Sequence, residues 1–368
     1  MKKISPLQRV SFRSRAVRYL SRALLLSAVL HTTLSVAADP LVVRIGVATQ
    51  GYGDPPTFGG SPDATAQLQH RYEDALRPLG VQIKWIFFKG AGPAVNEALA
   101  NKQLDFADQG DLPAVLGRAN GIKSHIIAAN GVRTGVYIAV PPGSNIKTVQ
   151  DLKGKQVALF RGTNLQLVAD NVLKANGLTE RDLHIVNLDT SAAQAALVSK
   201  GVDAAFLDFS LFKLQRQGLV KIIYSSRDHG LQLTRQSHLL VLPDFEQAHP
   251  DVVQAVVTAF VQAAQWSSDE KHRDALFTLW AQSGVPVESW QDEFRNQQLK
   301  ERTSPLLDPF FTAHYQKVAD EALELHLIRA PLNVDGWFEP KYLNHALEKL
   351  KLQNEWPRYD ASGKIIPG

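Results

Sequence analysis

Strand-like and helix-like segments alternate along the first two thirds of this 368-residue chain. The apolar run 41–47 is typical of a buried strand, and the Gly- and Pro-rich stretch 51–56 after it is typical of a turn. Since β-α-β-α alternation favours helices layered on mostly parallel sheets, we predict an α/β fold. Further strands are predicted over 81–87, 104–107, 125–129, 135–140, 156–160, 184–188, 204–207, 221–224 and 238–242, and the helices between them include 64–76, 94–101, 165–175 and 192–200.

The chain changes character at Pro250, where helical periodicity becomes dominant. Apolar residues recur at three- and four-residue spacing from Val252 to Ala264, which predicts a helix with one face in the core. Further helices are predicted up to Phe294, over 315–325 and over 342–350. The tail 354–368 is polar and contains two prolines, so we expect it to pack loosely.

The first 38 residues have the three parts of a secretory signal peptide. Seven basic residues precede the apolar run 23–30, and the small residues of 35–38 place a cleavage site before Asp39. A permanent N-terminal anchor is the alternative, but the run is shorter than the ~20 apolar residues of a membrane-spanning helix. We therefore predict export to the periplasm. The basic residues are Lys2, Lys3, Arg9, Arg13, Arg15, Arg18 and Arg22.

Charge and cysteine content argue against several classes of protein. Subtracting the seven leader charges from the formal net charge of +4 leaves −3 for residues 39–368, which is not the balance of a nucleic-acid-binding domain. Cysteine is absent, which excludes disulfides, thiolate metal sites and cysteine nucleophiles. No catalytic or nucleotide-binding motif occurs, and the eleven histidines lack metal-ligand spacing. We therefore predict no enzyme activity, no cofactor and no metal.

Four turns at the ends of predicted strands are candidates for a ligand site, because ligands of open parallel sheets bind outside the carboxyl ends of the strands. These turns are 49–56, 108–113, 161–164 and 208–210. Two of them lead into helices, whose first N–H groups suit a sulfonate, phosphate or carboxylate. A guanidinium at Arg161, beside Thr163 and Asn164, would hold an oxyanion. Ordinary helix capping is the alternative reading, and 191–194 also resembles a capping box.

A set of short motifs occurs in one order along the chain. Glu97-Ala-Leu99 precedes Gly110-Asp-x-Pro113, and further motifs lie at 138–144, 149–155, 160–164, 201–203, 240–253 and 333–337. Together they resemble the periplasmic binding proteins of ABC importers for aliphatic sulfonates, taurine and nitrate. The likeness spans roughly residues 41–350.

This resemblance implies a two-lobed type II periplasmic-binding-protein fold, or Venus flytrap, with a ligand cleft between the lobes. Lobe one would be 41–135 plus 238–368, and lobe two 136–237. The implied function is the extracytoplasmic solute-binding component of an ABC importer, which captures a small organic anion, foremost an aliphatic sulfonate, by hinge closure. The implied partners are this ligand and the permease subunits in the inner membrane, with the protein itself monomeric. The residues expected to contact the ligand are Gln50, Tyr52, Gln109, Gly110, Asp111, Arg161, Gly162, Thr163, Asn164, Asp208 and Phe209.

The sequence leaves other functions open. Nitrate, another small anion or a thiamine-precursor-like molecule would be an alternative ligand, and a ligand-sensing domain would use the same lobe closure. Two enzymes share the implied fold, a pyrimidine-precursor synthase of thiamine biosynthesis and a pyrrole-polymerising deaminase. Both resemblances depend on cysteine-bearing features, which this chain lacks.

Overall fold

Two five-stranded sheets form the frame of the protein. The computed structural model describes residues 40–367, and the predicted signal peptide 1–38 lies outside the described residues. The first sheet has the strand order β2-β1-β3-β10-β4 and the second has the order β7-β6-β8-β5-β9, while β11 pairs with β12. The strands are β1 Val42–Val47, β2 Gln82–Phe87, β3 Phe106–Gly110, β4 His125–Ala129, β5 Tyr137–Val140, β6 Gln156–Leu159, β7 His184–Asn187, β8 Ala204–Leu207, β9 Lys221–Ser225, β10 Ser237–Val241, β11 Arg358–Tyr359 and β12 Ile365–Ile366.

Each large sheet contains one reversed strand. In the first sheet β1, β2 and β3 are parallel, and β10 runs antiparallel to both β3 and β4. In the second sheet β6, β7 and β8 are parallel, and β5 runs antiparallel to β8 and β9. The reversed strands β5 and β10 are those that the chain enters directly after crossing from one sheet to the other. The predicted α/β fold with mostly parallel sheets is confirmed.

The two crossing segments pair with each other between the sheets. The Thr134 amide donates to the Arg235 carbonyl at 3.1 Å, and the Arg235 amide donates back to the Thr134 carbonyl at 2.8 Å. This pairing is the geometry of a two-stranded hinge. The lobe boundaries at 135/136 and 237/238 stay a prediction, and β10 begins one residue before the second of them.

Helices cover the faces of both sheets. The longest described helix, Pro250–Ser268, buries all the apolar residues that the sequence placed on its core face. None of the helices in residues 40–367 is long and apolar enough to cross a membrane. The helices are Pro62–Leu68, Arg71–Leu76, Ala91–Ala100, Asp111–Ala119, Asn164–Ala175, Thr190–Val198, Leu211–Arg216, Pro243–Ala248, Pro250–Ser268, Arg273–Trp280, Val287–Glu293, Leu299–Arg302, Pro309–Glu324 and Lys341–Leu350.

The single helix predicted over 64–76 is wrong, because the chain breaks into two helices there. His70 has a left-handed backbone conformation, with φ of +55°, which ends one helix and redirects the next. The redirected helix buries Tyr72, whose ring stacks on Trp85 with centroids 5.7 Å apart. The apolar pattern of the sequence continues through His70, but tertiary packing breaks the helix there.

Two further local predictions are corrected by the structure. The strand predicted over 104–107 lies at Phe106–Gly110, because β10 pairs along it as far as Gly110. Asp108 and Gln109 are consequently buried strand residues instead of turn residues. The capping box at 191–194 is also wrong, since the helix begins at Thr190 and its capping oxygen comes from Asp189, 2.9 Å from the Ala192 amide.

The C-terminal tail is anchored, which corrects the expectation of loose packing. Trp356 and Tyr359 are buried, and the Trp356 indole N–H donates to the Ser268 hydroxyl at 2.7 Å. The Tyr359 ring lies under the Arg133 guanidinium, 3.6 Å from its centroid. Since Arg133 sits on the first crossing segment, the tail braces one side of the hinge.

The variant Trp356→Phe is expected to lower the free energy of unfolding by about 1–2 kcal/mol. It removes the hydrogen bond to Ser268 and leaves a small void where the larger ring packed. Urea unfolding followed by circular dichroism would measure the change. An unfolding midpoint equal to that of the unchanged protein would contradict the anchoring of the tail by Trp356, and Tyr52→Phe, on an exposed side chain, serves as the control.

Candidate functional site

A cavity of about 460 Å³ lies where the carboxyl ends of the parallel strands of one large sheet face those of the other. One wall consists of residues that follow β1, β2, β3 and β4, and the other consists of residues that follow β6, β7 and β8. The crossing segments close its base through Thr134 and Arg235. This size falls within the ~300–1,000 Å³ of small-molecule sites, and the position is the one expected of a ligand in an open α/β sheet.

The structure brings most of the predicted contact residues to this cavity and leaves three outside it. Asp111, Arg161 and Gly162 do not line the cavity. The lining residues from the predicted set are Gln50, Tyr52, Gln109, Gly110, Thr163, Asn164, Asp208 and Phe209.

Asp111 lies outside the cavity, next to the second crossing segment. Its carboxylate is 1% exposed and accepts hydrogen bonds from the Gln236 amide at 2.9 Å and from the Leu112 amide at 2.7 Å. The His314 ring lies 2.7 Å from the same carboxylate. These partners use the oxygens that a ligand would need, so Asp111 fixes the second crossing segment to the helix Asp111–Ala119.

Arg161 and Gly162 stabilise the turn 161–164 through contacts outside the cavity. The Arg161 guanidinium forms an ion pair with Glu180 on the side away from the cavity. Glu180 also accepts from the Gln166 side-chain amide at 2.9 Å, and the Gln166 oxygen in turn accepts from the Gly162 amide at 2.8 Å. Gly162 has φ of +76°, a conformation that glycine adopts without strain. Both residues thus belong to the predicted turn but lie outside the cavity lining.

The helix Asn164–Ala175 points its N-terminus into the cavity. Thr163, Asn164 and Leu165 all line the cavity, and no side chain caps the helix, because the Thr163 hydroxyl donates to the Phe160 carbonyl at 2.6 Å. The first N–H groups of a helix have no acceptor within it and carry the positive end of its dipole. This helix start therefore offers an anion donors that belong to the backbone.

Gly110 brings the two walls together at this point. A Cβ atom on Gly110 would lie 2.4 Å from the Asn164 side-chain nitrogen, so only glycine permits the observed approach. The first sheet and the Asn164 helix therefore meet beside the uncapped helix start.

Arg235 is the main lining residue that the sequence analysis missed. Its guanidinium makes two long hydrogen bonds of 3.3 Å, to the Asn164 side-chain oxygen and to the Gly135 carbonyl. Within residues 40–367 it forms no ion pair, and its buried Nε has no hydrogen-bond partner. The only sequence signal was its position just before the strand predicted at 238–242. That position placed it on the crossing segment, which lines the base of the cleft.

The remaining charged groups at the cavity are largely satisfied by the protein itself. Lys89 lies 3.5 Å from the Asp189 carboxylate on the opposite wall. Asp208 accepts from the Ser210 amide at 3.0 Å and from its hydroxyl at 2.6 Å. Lys89 thus has a carboxylate partner, whereas the Arg235 guanidinium at the base of the cavity has no ion-pair partner within residues 40–367, which favours an anion there.

One lining carboxyl group has an unusual environment. Burial raises the pKa of Asp108 well above its usual range, and the neighbouring Asp63 carboxylate raises that pKa further. Burial also raises the pKa of Asp63, while the hydrogen bond from the Tyr72 hydroxyl lowers it. The raised pKa of Asp108 thus has two causes, burial first and the neighbouring Asp63 carboxylate second.

Aromatic rings form another side of the cavity. Phe209 packs against Trp290 across the two walls, with ring centroids 4.5 Å apart. Tyr52 is 60% exposed at the mouth and lies against Gly284, where a Cβ atom would come within 2.6 Å of its ring. The cavity thus combines a polar, positively charged base with an apolar region suited to an organic group.

Comparisons with known proteins match one family model and relatives that are named for binding aliphatic sulfonates. Residues 80–272 match the family model described as NMT1/THI5 like. A Bacillus subtilis (strain 168) protein named for binding aliphatic sulfonates is 28% identical over 225 residues, which are 60% of this chain and 66% of that protein. An Escherichia coli (strain K12) protein with the same name is 28% identical over 260 residues, 70% of this chain and 76% of that protein.

Solved structures extend the similarity over nearly the whole described chain. The periplasmic sulfonate-binding protein SsuA from Methylobacillus flagellatus KT is 30% identical, with a TM-score of 0.75 over 88% of this chain and 98% of that chain. The desulfurization enzyme DszB shares the fold at 17% identity and a TM-score of 0.62, over 84% of this chain and 99% of that chain. That likeness shows only that the same fold also occurs in an enzyme.

Proposed function

This chain belongs to the NMT1/THI5 like family, and we propose that it is the extracytoplasmic solute-binding component of an ABC importer that captures an aliphatic sulfonate. The relatives named for binding sulfonates support this proposal, and so does SsuA, which spans 88% of the chain. The site itself supports an anion with an organic group, since the cavity has a cationic base and an aromatic side.

The observation that carries the proposal is the unpaired guanidinium of Arg235 beside the uncapped start of the Asn164 helix. A sulfonate has three acceptor oxygens, a single negative charge and no donor. Arg235 supplies charge and N–H donors, and the helix start supplies further N–H groups. The buried Nδ2 of Asn130, which also lines the cavity, lacks a hydrogen-bond partner and adds another donor. The site thus offers the donors that a sulfonate needs.

The proposed mechanism is closure of two lobes over the ligand. Lobe one is 41–135 plus 238–368 and lobe two is 136–237, joined by the paired crossing segments. In the described structure the walls touch through Lys89 with Asp189 and through Phe209 with Trp290. A ligand that contacts both walls stabilises the closed form, because it binds that form more tightly than the open one.

The proposed setting is the periplasm. The seven basic residues and the apolar run of the first 38 residues support export, and SsuA is a periplasmic protein by name. The permease subunits of the importer would recognise the closed form of a monomeric protein. A binding role is proposed instead of catalysis, since the relatives at 28–30% identity are named for binding.

Calorimetric titration of the purified, exhaustively dialysed protein tests the function. We expect one-to-one binding of 1-butanesulfonate, and binding of pentanoate at least tenfold weaker, because the two share an alkyl chain and differ in the number of headgroup oxygens. Nitrate and sulfate extend the panel. Tighter binding of nitrate or pentanoate than of 1-butanesulfonate would show that the ligand is not an aliphatic sulfonate. If the folded protein bound none of these anions, the proposal would be overturned.

A further inference from the structure

We propose that Asp108 meets the bound sulfonate as an uncharged carboxyl group and donates its proton in a hydrogen bond to a sulfonate oxygen, an inference that rests on the proposed function. Asp108 would thereby contribute to specificity, because the site would favour an anion only while this side chain carries its proton. Affinity for a ligand that does not itself titrate would then depend on pH.

The position of Asp108 is the first support. It lies in β3 between buried neighbours, is 9% exposed and lines the cavity. In the first sheet its partners are Val47 on β1 and Leu239 on β10, so apolar strands flank it on both sides. A carboxylate in this position would be poorly solvated and would repel the anion that Arg235 attracts.

The second support is a second buried acid, Asp63, whose charge acts on Asp108. Asp63 is fully buried, receives a hydrogen bond from the Tyr72 hydroxyl at one oxygen, and has no hydrogen-bond partner at the other. Two carboxylates in one buried site cannot both ionise cheaply, so one retains its proton. The Tyr72 hydroxyl donates to Asp63 and so favours its ionised form, and we therefore place the retained proton on Asp108.

The third support is Asn130, which lines the cavity together with Asp108. A hydrogen bond from its side chain to Asp108 would lower the pKa of Asp108, but in the described structure its fully buried Nδ2 has no hydrogen-bond partner. Its oxygen accepts from the Asp63 amide at 3.2 Å, which fixes the orientation of the side chain. Asn130 and a protonated Asp108 would then form a pair of neutral donors on the wall opposite the Asn164 helix.

Other charged or titratable groups surround this pair and must be separated from it in a test. Tyr72 and Tyr315 both sense the Asp108 charge, and their own pKa values are raised by burial first and by neighbouring carboxylates second. The cations of the cavity are Lys89 and Arg235. The groups that face Asp108 from the packed elements, or act through its neighbours, are Asp63, Tyr72, Glu73, Asp111 and Tyr315.

Titration with 1-butanesulfonate from neutral to alkaline pH tests the inference, because this ligand stays ionised throughout. Anion and proton bind to the same state, so affinity should be highest while Asp108 is protonated and should fall as pH rises through its pKa. We expect Asp108→Asn to keep the donor, to bind within about threefold of the unchanged protein at neutral pH, and to lose the pH dependence. Asp108→Leu should bind about tenfold more weakly.

A second variant separates Asp108 from the other titrating groups. Asp63→Asn removes the negative neighbour that raises the pKa of Asp108, so the loss of affinity should move to lower pH. Circular dichroism at each pH confirms that every variant stays folded. If the unchanged protein binds with one affinity over the whole range, or Asp108→Asn keeps the original pH profile, the inference is overturned and the proposed function stands. Absence of binding at every pH would overturn both.

Discussion

Replacing Arg235 with glutamine is expected to weaken the binding of 1-butanesulfonate by about 100-fold or more, without loss of the fold. The guanidinium lies at the base of the cavity and has no ion-pair partner within residues 40–367, and truncating one partner of a buried charge pair costs ~2–5 kcal/mol of binding free energy. Its contacts within the protein are two hydrogen bonds of 3.3 Å, so its removal should disturb the structure little. Calorimetric titration measures the affinity, and thermal unfolding reports on the fold.

Two further variants make this result specific. Arg235→Lys retains the charge but loses the paired donors of the guanidinium, so its affinity should lie between those of the other two proteins. Arg77→Gln removes an arginine that is exposed on the surface and should leave binding unchanged. An Arg235→Gln protein that binds within threefold of the unchanged protein would remove this residue from the site.

Replacing Glu293 with leucine is expected to lower the free energy of unfolding by about 3–5 kcal/mol, because it leaves buried positive charge without its partner. Glu293 is fully buried and accepts from the Arg302 guanidinium at 2.8 Å and from the Tyr137 hydroxyl at 2.5 Å. The Arg227 guanidinium lies 4.0 Å from the same carboxylate. Tyr137 and Arg227 belong to the segment 136–237, so Glu293 also links the two sides of the hinge.

Urea unfolding would measure this loss of stability. Two further variants test whether the loss comes from the unpaired buried charge. The double variant Glu293→Leu with Arg302→Leu should recover part of the stability, since replacing both partners by apolar groups is often close to neutral. Asp244→Asn removes an exposed surface pair with Lys102 and should not shift the unfolding midpoint. A loss below ~1 kcal/mol for Glu293→Leu would show that the buried network contributes no net stability.

The sequence predicted which segments of the chain line the cavity. The segments after β1, β6 and β8 line the cavity together with the last residues of β3, because the carboxyl ends of parallel strands share one edge of a sheet. Which side chains in a turn face that edge was not predictable. The Arg161 side chain pairs with Glu180, 19 positions further along the chain. The Asp111 carboxylate bonds to Gln236 and His314, which lie 125 and 203 positions further along.

Arg235 shows the opposite case. Nothing local distinguishes it from other surface arginines, and it lies 71 positions from Asn164 in sequence while touching it in space. Only the return of the chain from the second sheet to the first places it at the base of the cleft. Asp108 is similar, since its pKa is raised by burial within the folded sheet and further by Asp63, which lies on a separate helix.

The sequence by itself determined the α/β class, the order of the strands along the chain and the core face of the helix Pro250–Ser268. These features follow from local periodicity, which each segment carries without reference to the rest. The tertiary structure decided the break at His70, the anchored tail and the charge balance of the cavity. Each of these depends on contacts between residues far apart in the chain, and the energy of a buried charge or a redirected helix is set by what packs against it.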